Sequence, residues 1–396
     1  MIPRHATTQL KGVGSRFPSV TVIGPRQSGK TTLVKHCFPH KDYVNLEHPQ
    51  VRQFALDDPV GFLKQYEKSG AIFDEIQRAP DLISYLQPLL DEREERGLFI
   101  LTGSHQFQLL EQVTQSLAGR TFLFRLLPLS TGELLDADIL PDSLDQLLVQ
   151  GLYPRIYSPN TLASEIHQAY FDTYLQKDVR QITNVKDLSL FQKFMTLCAG
   201  RVGQILNKES LSSDLGVNVK TIEDWLSVLE ASFVVTRLPP FWMNTRKRLV
   251  KSPKLYFCDP GLVSWLLGIH KPKDLATHPA KGHLFENLVM MEALKTNFNG
   301  GKPSNIFFYR DSRKNEIDLV FELGEKAFPV EIKAASTYIP DFAKGLDQID
   351  ESKRLGKAVI FGGDHNQDRS DVQVVSWRQM SAFFKNVNDI PPGTVL

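Results

Sequence analysis

The chain has 396 residues, 42% of them hydrophobic and 23% charged, with a formal net charge of +1. Those proportions exclude a disordered or fibrous chain, and the length exceeds one ordinary domain of roughly 150 residues, so two or three domains are expected. A net charge so close to zero gives no global pull toward nucleic acid or anionic lipid, and any such partner must be held by a local patch.

Cys37, Cys198 and Cys258 lie far apart, with no Cys-x-x-Cys pair. That usage points to a reducing, cytoplasmic setting. No apolar run approaches the roughly 20 residues that span a bilayer, and "MIPRHATTQLKG" lacks the apolar core of a signal peptide, so no membrane role is expected.

The first predicted element is the apolar, β-branched run "PSVTVIG", which reads as a buried parallel strand; "KTTLVKH" behind it reads as the start of a helix. Between them Gly24-x-x-x-x-Gly29-Lys30-Thr31 has Walker A spacing. The predicted nucleotide-binding residues are Gly24, Pro25, Arg26, Gln27, Ser28, Gly29, Lys30, Thr31 and Thr32. The glycines let backbone N–H groups surround phosphates, Lys30 neutralises β/γ charge, and the Thr31 hydroxyl ligates magnesium. ATP and Mg2+ are the cofactors this pattern calls for.

"GAIFDEIQ" at 70 to 77 supplies the acidic partner. Asp74 follows Ala71-Ile72-Phe73, which places its carboxylate at a strand's C-terminal end, where open α/β sheets bind ligands; it is assigned to the metal, and Glu75 to polarising the attacking water. "RGLFILTGS" at 96 to 104 reads as a third buried strand, with Thr102 or Ser104 as sensor of the γ-phosphate. Arg120 and Arg125, in "SLAGRTFLFRLLPLS", are candidates to neutralise transition-state charge or ordinary surface arginines.

"GPRQSGKTT", "IFDEIQ", "LTGS" and "SLAGR", followed by "GLYPRIY" and "YFDTYLQKDVRQI", resemble the prokaryotic AAA-type ATPases that carry a C-terminal domain formerly of unknown function. The resemblance runs from about residue 15 to 340. It implies an AAA-like core with Lys30, Thr31, Asp74 and Glu75 in the roles above; such proteins often form rings, which leaves a homo-oligomer open and Arg120 acting in cis, in trans or not at all. His105 follows "LTGS" where a small polar residue is expected.

Residues 136 to 205 read as a helical connector, with Ile166, Tyr170, Tyr174 and Leu175 at helical spacing. "NKESLSSDLGVNVKTIEDWLSVLEASFVV" then reads as a helix-turn-helix: Leu211 and Leu215 pack the first helix, Gly216 permits the turn, and Ile222, Trp225, Leu226 and Leu229 pack the second. "FVVTRL" and "KLYFCD" read as a strand pair bracketing a loop with Arg246, Lys247, Arg248, Lys251 and Lys254, a basic wing. Lys220, Glu223 and Asp224 mix signs on the second helix, which argues against sequence-specific readout and leaves a packing or protein-contact module as the alternative.

In the last third, "NEIDLVFEL" sends Ile317, Leu319 and Phe321 to one face and Asp318 to the other, and "AFPVEIKAA" sets Phe328, Val330 and Ile332 opposite Glu331 and Lys333. This arrangement resembles a PD-(D/E)xK nuclease core, with Glu286 in "GHLFENLVMMEALK" as the added carboxylate and Gln348 in a following helical stretch. Glu286, Asp318 and Glu331 are then metal ligands and Lys333 positions the water for attack on a phosphodiester. The bland alternative is a degenerate site that binds nucleic acid or stabilises the sheet.

The sequence thus predicts an α/β chain in four parts: an AAA-like ATPase domain at 1–135, the connector at 136–205, a winged-helix-like module at 206–270 and a restriction-endonuclease-like domain at 271–396. The partners expected are ATP and nucleic acid, DNA ahead of RNA. The competing expectation is a nucleotide-driven switch or scaffold whose distal domain binds a protein and cleaves nothing.

Overall fold

In a computed structural model of the protein, residues 1–104, 115–174, 187–241 and 252–390 are described. Strands β1 (Ser19–Ile23), β2 (Asp42–Asn45), β3 (Ala71–Asp74), β4 (Phe99–Gly103) and β5 (Thr121–Arg125) form one sheet in the order β2-β3-β4-β1-β5. Every pairing in it is parallel. Strands of this kind are covered by helices on both faces, and β1, β3 and β4 are accordingly buried along their whole length. One face packs on the helices Ala6–Gly14 and Lys30–Cys37 through Leu10, Val13, Leu33 and Val34. The register sets Ile23 opposite both Gly103 and Arg125, and Asn45 opposite Asp74, so the C-terminal strand ends gather along one edge.

On the opposite face the apolar core does not stop at the end of this sheet. It continues from Phe73 and Phe99 through Leu147, Tyr170, Phe194 and Trp225 to Leu288 and Phe384. The helix Ala163–Tyr174 contributes Ile166, Tyr170 and Tyr174 to it, while Leu175 lies outside the described residues.

The helices Lys208–Leu215 and Val219–Ala231 follow, each opened by an asparagine side chain, Asn207 or Asn218, that accepts a backbone N–H of the first turn. Gly216 closes the first helix at φ +67°, the left-handed conformation that glycine adopts without a Cβ penalty. Leu211, Leu215, Ile222, Trp225, Leu226 and Leu229 are buried. Strands β6 (Val235–Leu238) and β7 (Lys254–Phe257) form an antiparallel ribbon. Arg246, Lys247, Arg248 and Lys251 lie outside the described residues. Lys254 does not belong to an exposed basic wing: it is the first residue of β7 and buried. Its sequence neighbours are basic, but its spatial neighbours are acidic. Glu223 is likewise engaged, 3.2 Å from Lys208 and 2.8 Å from Arg237.

The C-terminal sheet runs β12-β11-β10-β9-β8, with β8 (Ile306–Arg310), β9 (Glu316–Leu323), β10 (Lys326–Lys333), β11 (Ala358–Phe361) and β12 (Gln373–Ser376). It is antiparallel from β8 to β10 and parallel from β10 to β12. Strict alternation predicts one apolar and one polar face; instead both faces are covered. Leu319, Phe321, Phe328 and Val330 join the large core, and Ile317, Val320, Ala327 and Val359 build a second cluster under the 3-10 helix Pro340–Gln348. Asp318 and Glu331 are therefore largely enclosed, at 14% and 12% side-chain exposure, which changes their chemistry.

Candidate functional site

The loop after β1 is shaped by two close approaches. A Cβ at Gly24 would stand 2.0 Å from the Leu126 carbonyl oxygen, so only glycine fits there. Gly29, at φ +91°, feeds the helix Lys30–Cys37. Lys30 is buried and its Nζ donates to the Gly24 and Pro25 carbonyls, 2.9 Å each, folding the ammonium over the loop. Ser28 Oγ and Gln27 Oε1 are buried without a hydrogen-bond partner among the described residues, which marks the loop as built around a ligand with its own polar groups. Pro25 is buried, Arg26 half-buried and Thr32 exposed on the same loop and helix start.

Thr31 Oγ1 donates to Asp74, 3.1 and 3.0 Å from its two oxygens. Asp74 ends β3 and also accepts from Thr102 and, at 2.6 Å, from the Tyr43 hydroxyl. Burial, then Asp74 itself, raises the Tyr43 phenol well above its usual range, keeping it a neutral donor. A hydroxyl beside a carboxylate is a hard-oxygen donor set of the kind magnesium takes, so Thr31 and Asp74 fit that ion.

Glu75 adopts φ +58°, the left-handed region that costs a non-glycine residue about 1–2 kcal/mol. The surroundings hold it there: its N–H donates to Thr102 Oγ1 at 3.3 Å, and its carboxylate accepts from Ser104 Oγ at 3.2 Å and from Gln77. Thr102 thus serves the Asp74 carboxylate and the Glu75 backbone, and Ser104 the Glu75 carboxylate. His105 lies outside the described residues.

The two arginines part company. Arg120 precedes β5, where its carbonyl accepts the Ser19 N–H at the N-terminal edge of the sheet. The Walker A-like loop begins at the other end of β1, roughly 13 Å away at about 3.3 Å per strand residue. Arg120 therefore stands away from the loop of its own chain, bonded to Asp91 at 2.5 and 2.8 Å, and the expected role in cis does not fit. Arg125 ends β5 at the loop's edge, lies over the Phe298 ring at 5.4 Å, and lines a cavity of about 460 Å³ with Glu230 and Phe307. Burial draws its guanidinium below its usual range.

Three residues near this loop were not assigned a role from the sequence. Arg4, 7% exposed, donates to Ser28 O at 2.7 Å, to Leu127 O at 2.7 Å and to Glu133 Oε1 at 3.0 Å. Tyr43 and Gln77 brace the two acids. Only Gln77, two residues after Glu75 in "DEIQ", gave a local signal.

The C-terminal candidates do assemble, but around ammonium groups. Lys254 Nζ lies 2.8 Å from Glu286 Oε1, 2.5 Å from Glu316 Oε1 and 3.9 Å from Asp318 Oδ1. Lys333 Nζ lies 2.5 Å from Glu331 Oε1 and 3.9 Å from Asp318 Oδ2. Asp318 Oδ2 also accepts the Ile332 N–H at 2.9 Å, and Tyr256 donates to Glu286 at 2.6 Å. Burial, followed by Glu286 and Glu331, pushes the Asp318 carboxyl up to about 8. Burial also pushes Glu286 up, but His283, Lys254 and Tyr256 outweigh it and hold that carboxyl below its usual range. Burial opposes the Lys254 ammonium, yet the facing Glu286, Asp318 and Glu316 raise it overall.

Among the described residues, no three His, Cys, Asp or Glu side chains are arranged to hold a metal. The expected ligand set of Glu286, Asp318 and Glu331 is thus not formed, because the two lysines occupy the space between its members. Gln348 is exposed, 3.5 Å from Asn315, and has no described bond to the cluster. Lys254, Tyr256 and Glu316 are the members that the sequence did not reveal.

Comparison with known proteins adds the following. A model of the AAA domain matches residues 16–135, and models of two domains of unknown function, DUF8612 and DUF4143, match 141–273 and 281–380. The uncharacterized protein Rv2008c of Mycobacterium tuberculosis is 30% identical over 380 residues, which cover 94% of this chain and 82% of that one; Mb2031c of Mycobacterium bovis matches equally. An uncharacterized protein of Haemophilus influenzae is 23% identical over 393 residues, covering 90% of this chain and 93% of its own. Among solved structures, a Walker-type ATPase of Pyrococcus abyssi aligns with 67% of this chain and 96% of that one, at 11% identity and a TM-score of 0.43. No described helix is long and apolar enough to cross a membrane.

Proposed function

The chain belongs to the family of the mycobacterial proteins Rv2008c and Mb2031c and opens with an AAA-type P-loop ATPase domain; from that premise we propose that its nucleotide state controls a nuclease-like C-terminal domain acting on DNA. In the ATP cycle, Lys30 turns from the Gly24 and Pro25 carbonyls to the β/γ-phosphates, and the loop N–H groups bind the phosphate oxygens. Thr31 and Asp74 hold magnesium, which supplies charge neutralisation when bound. Glu75, oriented by Ser104 and Gln77, accepts the proton of the attacking water.

One observation carries the coupling. Arg4 ties Ser28 of the loop to Glu133, Thr131 at the start of the same short helix bonds Glu292, and Glu292 shares the helix Lys281–Asn299 with Glu286. Six residues of helix separate the two glutamates, about 9 Å along its axis. A shift of the loop thereby reaches the carboxylate cluster through buried, hydrogen-bonded contacts. The helix pair 208–231 and the ribbon behind it form a winged-helix-like module in this reading, placed between the two sites.

The test compares ATP turnover with and without duplex DNA, together with cleavage and retention of that DNA by the wild type and by Lys333→Ala. Turnover stimulated by DNA, with cleavage or retention weakened in Lys333→Ala, is expected. An ATPase indifferent to DNA that neither cuts nor retains it would remove the reading. A second reading is favoured by the lysines that fill the acidic cluster: an ATP-driven switch whose distal domain cuts nothing and binds a protein. DNA affinity falling steeply with salt would count against it, since counterion release follows phosphate contacts.

A further inference from the structure

Glu286, Glu316, Asp318 and Glu331 meet where the β6–β7 ribbon touches the C-terminal sheet. Lys254 enters among them from outside that sheet. Its strand pairs with β6, where Leu238 stands opposite it, and its side chain is 2% exposed. The continuation of β6 is fastened to the edge strand of the sheet, with Phe308 N donating to Pro239 O at 3.1 Å and Phe241 N to Phe308 O at 2.5 Å. Lys254 is thus carried by the ribbon, whereas its carboxylate partners belong to the sheet and to the helix Lys281–Asn299.

We propose that Lys254 is the resident cation of this cluster and closes it to divalent metal. The proposal rests on reading the cluster as nuclease-like. Its Nζ stands within 2.8 Å of oxygens from both Glu286 and Glu316. A magnesium or manganese ion needs oxygens on several sides at about 2.0–2.2 Å, and it cannot share that space with an ammonium. Glu286 Oε1 is further occupied by the Tyr256 hydroxyl. Lys254, Lys333 and, 3.4 Å from Glu316 Oε2, the Arg310 guanidinium face these acids, yet Glu331 Oε2 is buried with no hydrogen-bond partner among the described residues. Glu331 therefore keeps acceptor capacity that a metal would use where the Lys254 ammonium is removed.

The test is a Mn2+ titration of the full chain without nucleotide, following free Mn2+ by electron paramagnetic resonance. Wild type is expected to bind no more tightly than roughly millimolar, and Lys254→Met to gain a site at least about tenfold tighter, lost again in Lys254→Met/Asp318→Asn. Two results would overturn the proposal: a tight wild-type site abolished by Asp318→Asn, or a folded Lys254→Met that gains nothing. If Lys254→Met does not fold, Glu316→Gln takes its place, since it loosens Lys254 but keeps Glu286, Asp318 and Glu331. A gain of about threefold or more supports the proposal, and no gain overturns it. DNA cleavage in the same samples separates the two readings. Mn2+ gained without cleavage leaves Lys254 as resident cation and removes the nuclease, whereas cleavage by a wild type that binds Mn2+ tightly removes only the Lys254 proposal.

Discussion

Glu292 accepts three hydrogen bonds from Thr131, two from its backbone N–H at 3.1 and 3.0 Å and one from its hydroxyl at 2.9 Å, with both residues fully buried. This contact spans 161 positions and joins the start of the helix Thr131–Asp136 to the helix Lys281–Asn299. Glu292→Ala would strand a buried N–H and a buried hydroxyl, at about 1–3 kcal/mol each. The urea midpoint should fall accordingly, and in Glu292→Gln by less. DNA stimulation of ATP turnover should weaken in both; unchanged stimulation would show that the helix transmits nothing.

Arg4 acts on the nucleotide loop through the Ser28 carbonyl. Arg4→Ala should raise the KM for ATP about tenfold while changing kcat less, because it frees a loop that must be ordered for binding. Arg4→Lys should not restore KM, since one ammonium cannot span the three acceptors of a planar fork. A KM equal to wild type in Arg4→Ala would reduce its role to general stability.

Lys30→Ala should abolish ATP turnover. Glu75→Gln should slow hydrolysis by about 10²-fold and leave nucleotide affinity near wild type, as expected for loss of a general base. Fluorescent nucleotide binding beside steady-state turnover separates the two effects, and a Glu75→Gln that hydrolyses at the wild-type rate would assign the base elsewhere.

Arg120 is half-buried and paired with Asp91 at the sheet edge away from the loop. Arg120→Ala should leave the melting temperature unchanged. Its turnover should fall below wild type only at concentrations where the chain self-associates, read by light scattering, if it serves a neighbouring copy. A loss independent of concentration would contradict the placement.

Burial, with Glu286 and Glu331 beside it, raises the Asp318 carboxyl from a usual 3.8 to about 8, so the folded form retains a proton that the unfolded form releases. Its contribution to stability is full below about pH 4 and fades as pH rises toward 8. With EDTA present, the urea midpoint of wild type should decline across that range more than that of Asp318→Asn. Equal slopes would mean that the carboxyl is already ionised.

The sequence by itself determined the strand-loop-helix at residues 19–37, the acids at the end of the strand Ala71–Asp74, the paired helices around Gly216 and the strands that carry Asp318 and Glu331. Each of these is a short-range signal in which chain neighbours are also spatial neighbours. Tertiary structure decided the rest. Lys254 reads as one of a run of solvated bases until strand pairing brings it to Glu286 and Glu316, and Arg4 has no motif until the fold places Ser28, Leu127 and Glu133 around it. Whether Arg120 faces its own loop cannot be read from its motif; the parallel register sets it at the sheet end away from the loop of its own chain. A side chain's charge is written in its own residue, but its partner and its burial are set by segments tens to hundreds of residues away, and these decide whether it binds a ligand, holds a backbone or neutralises a neighbour.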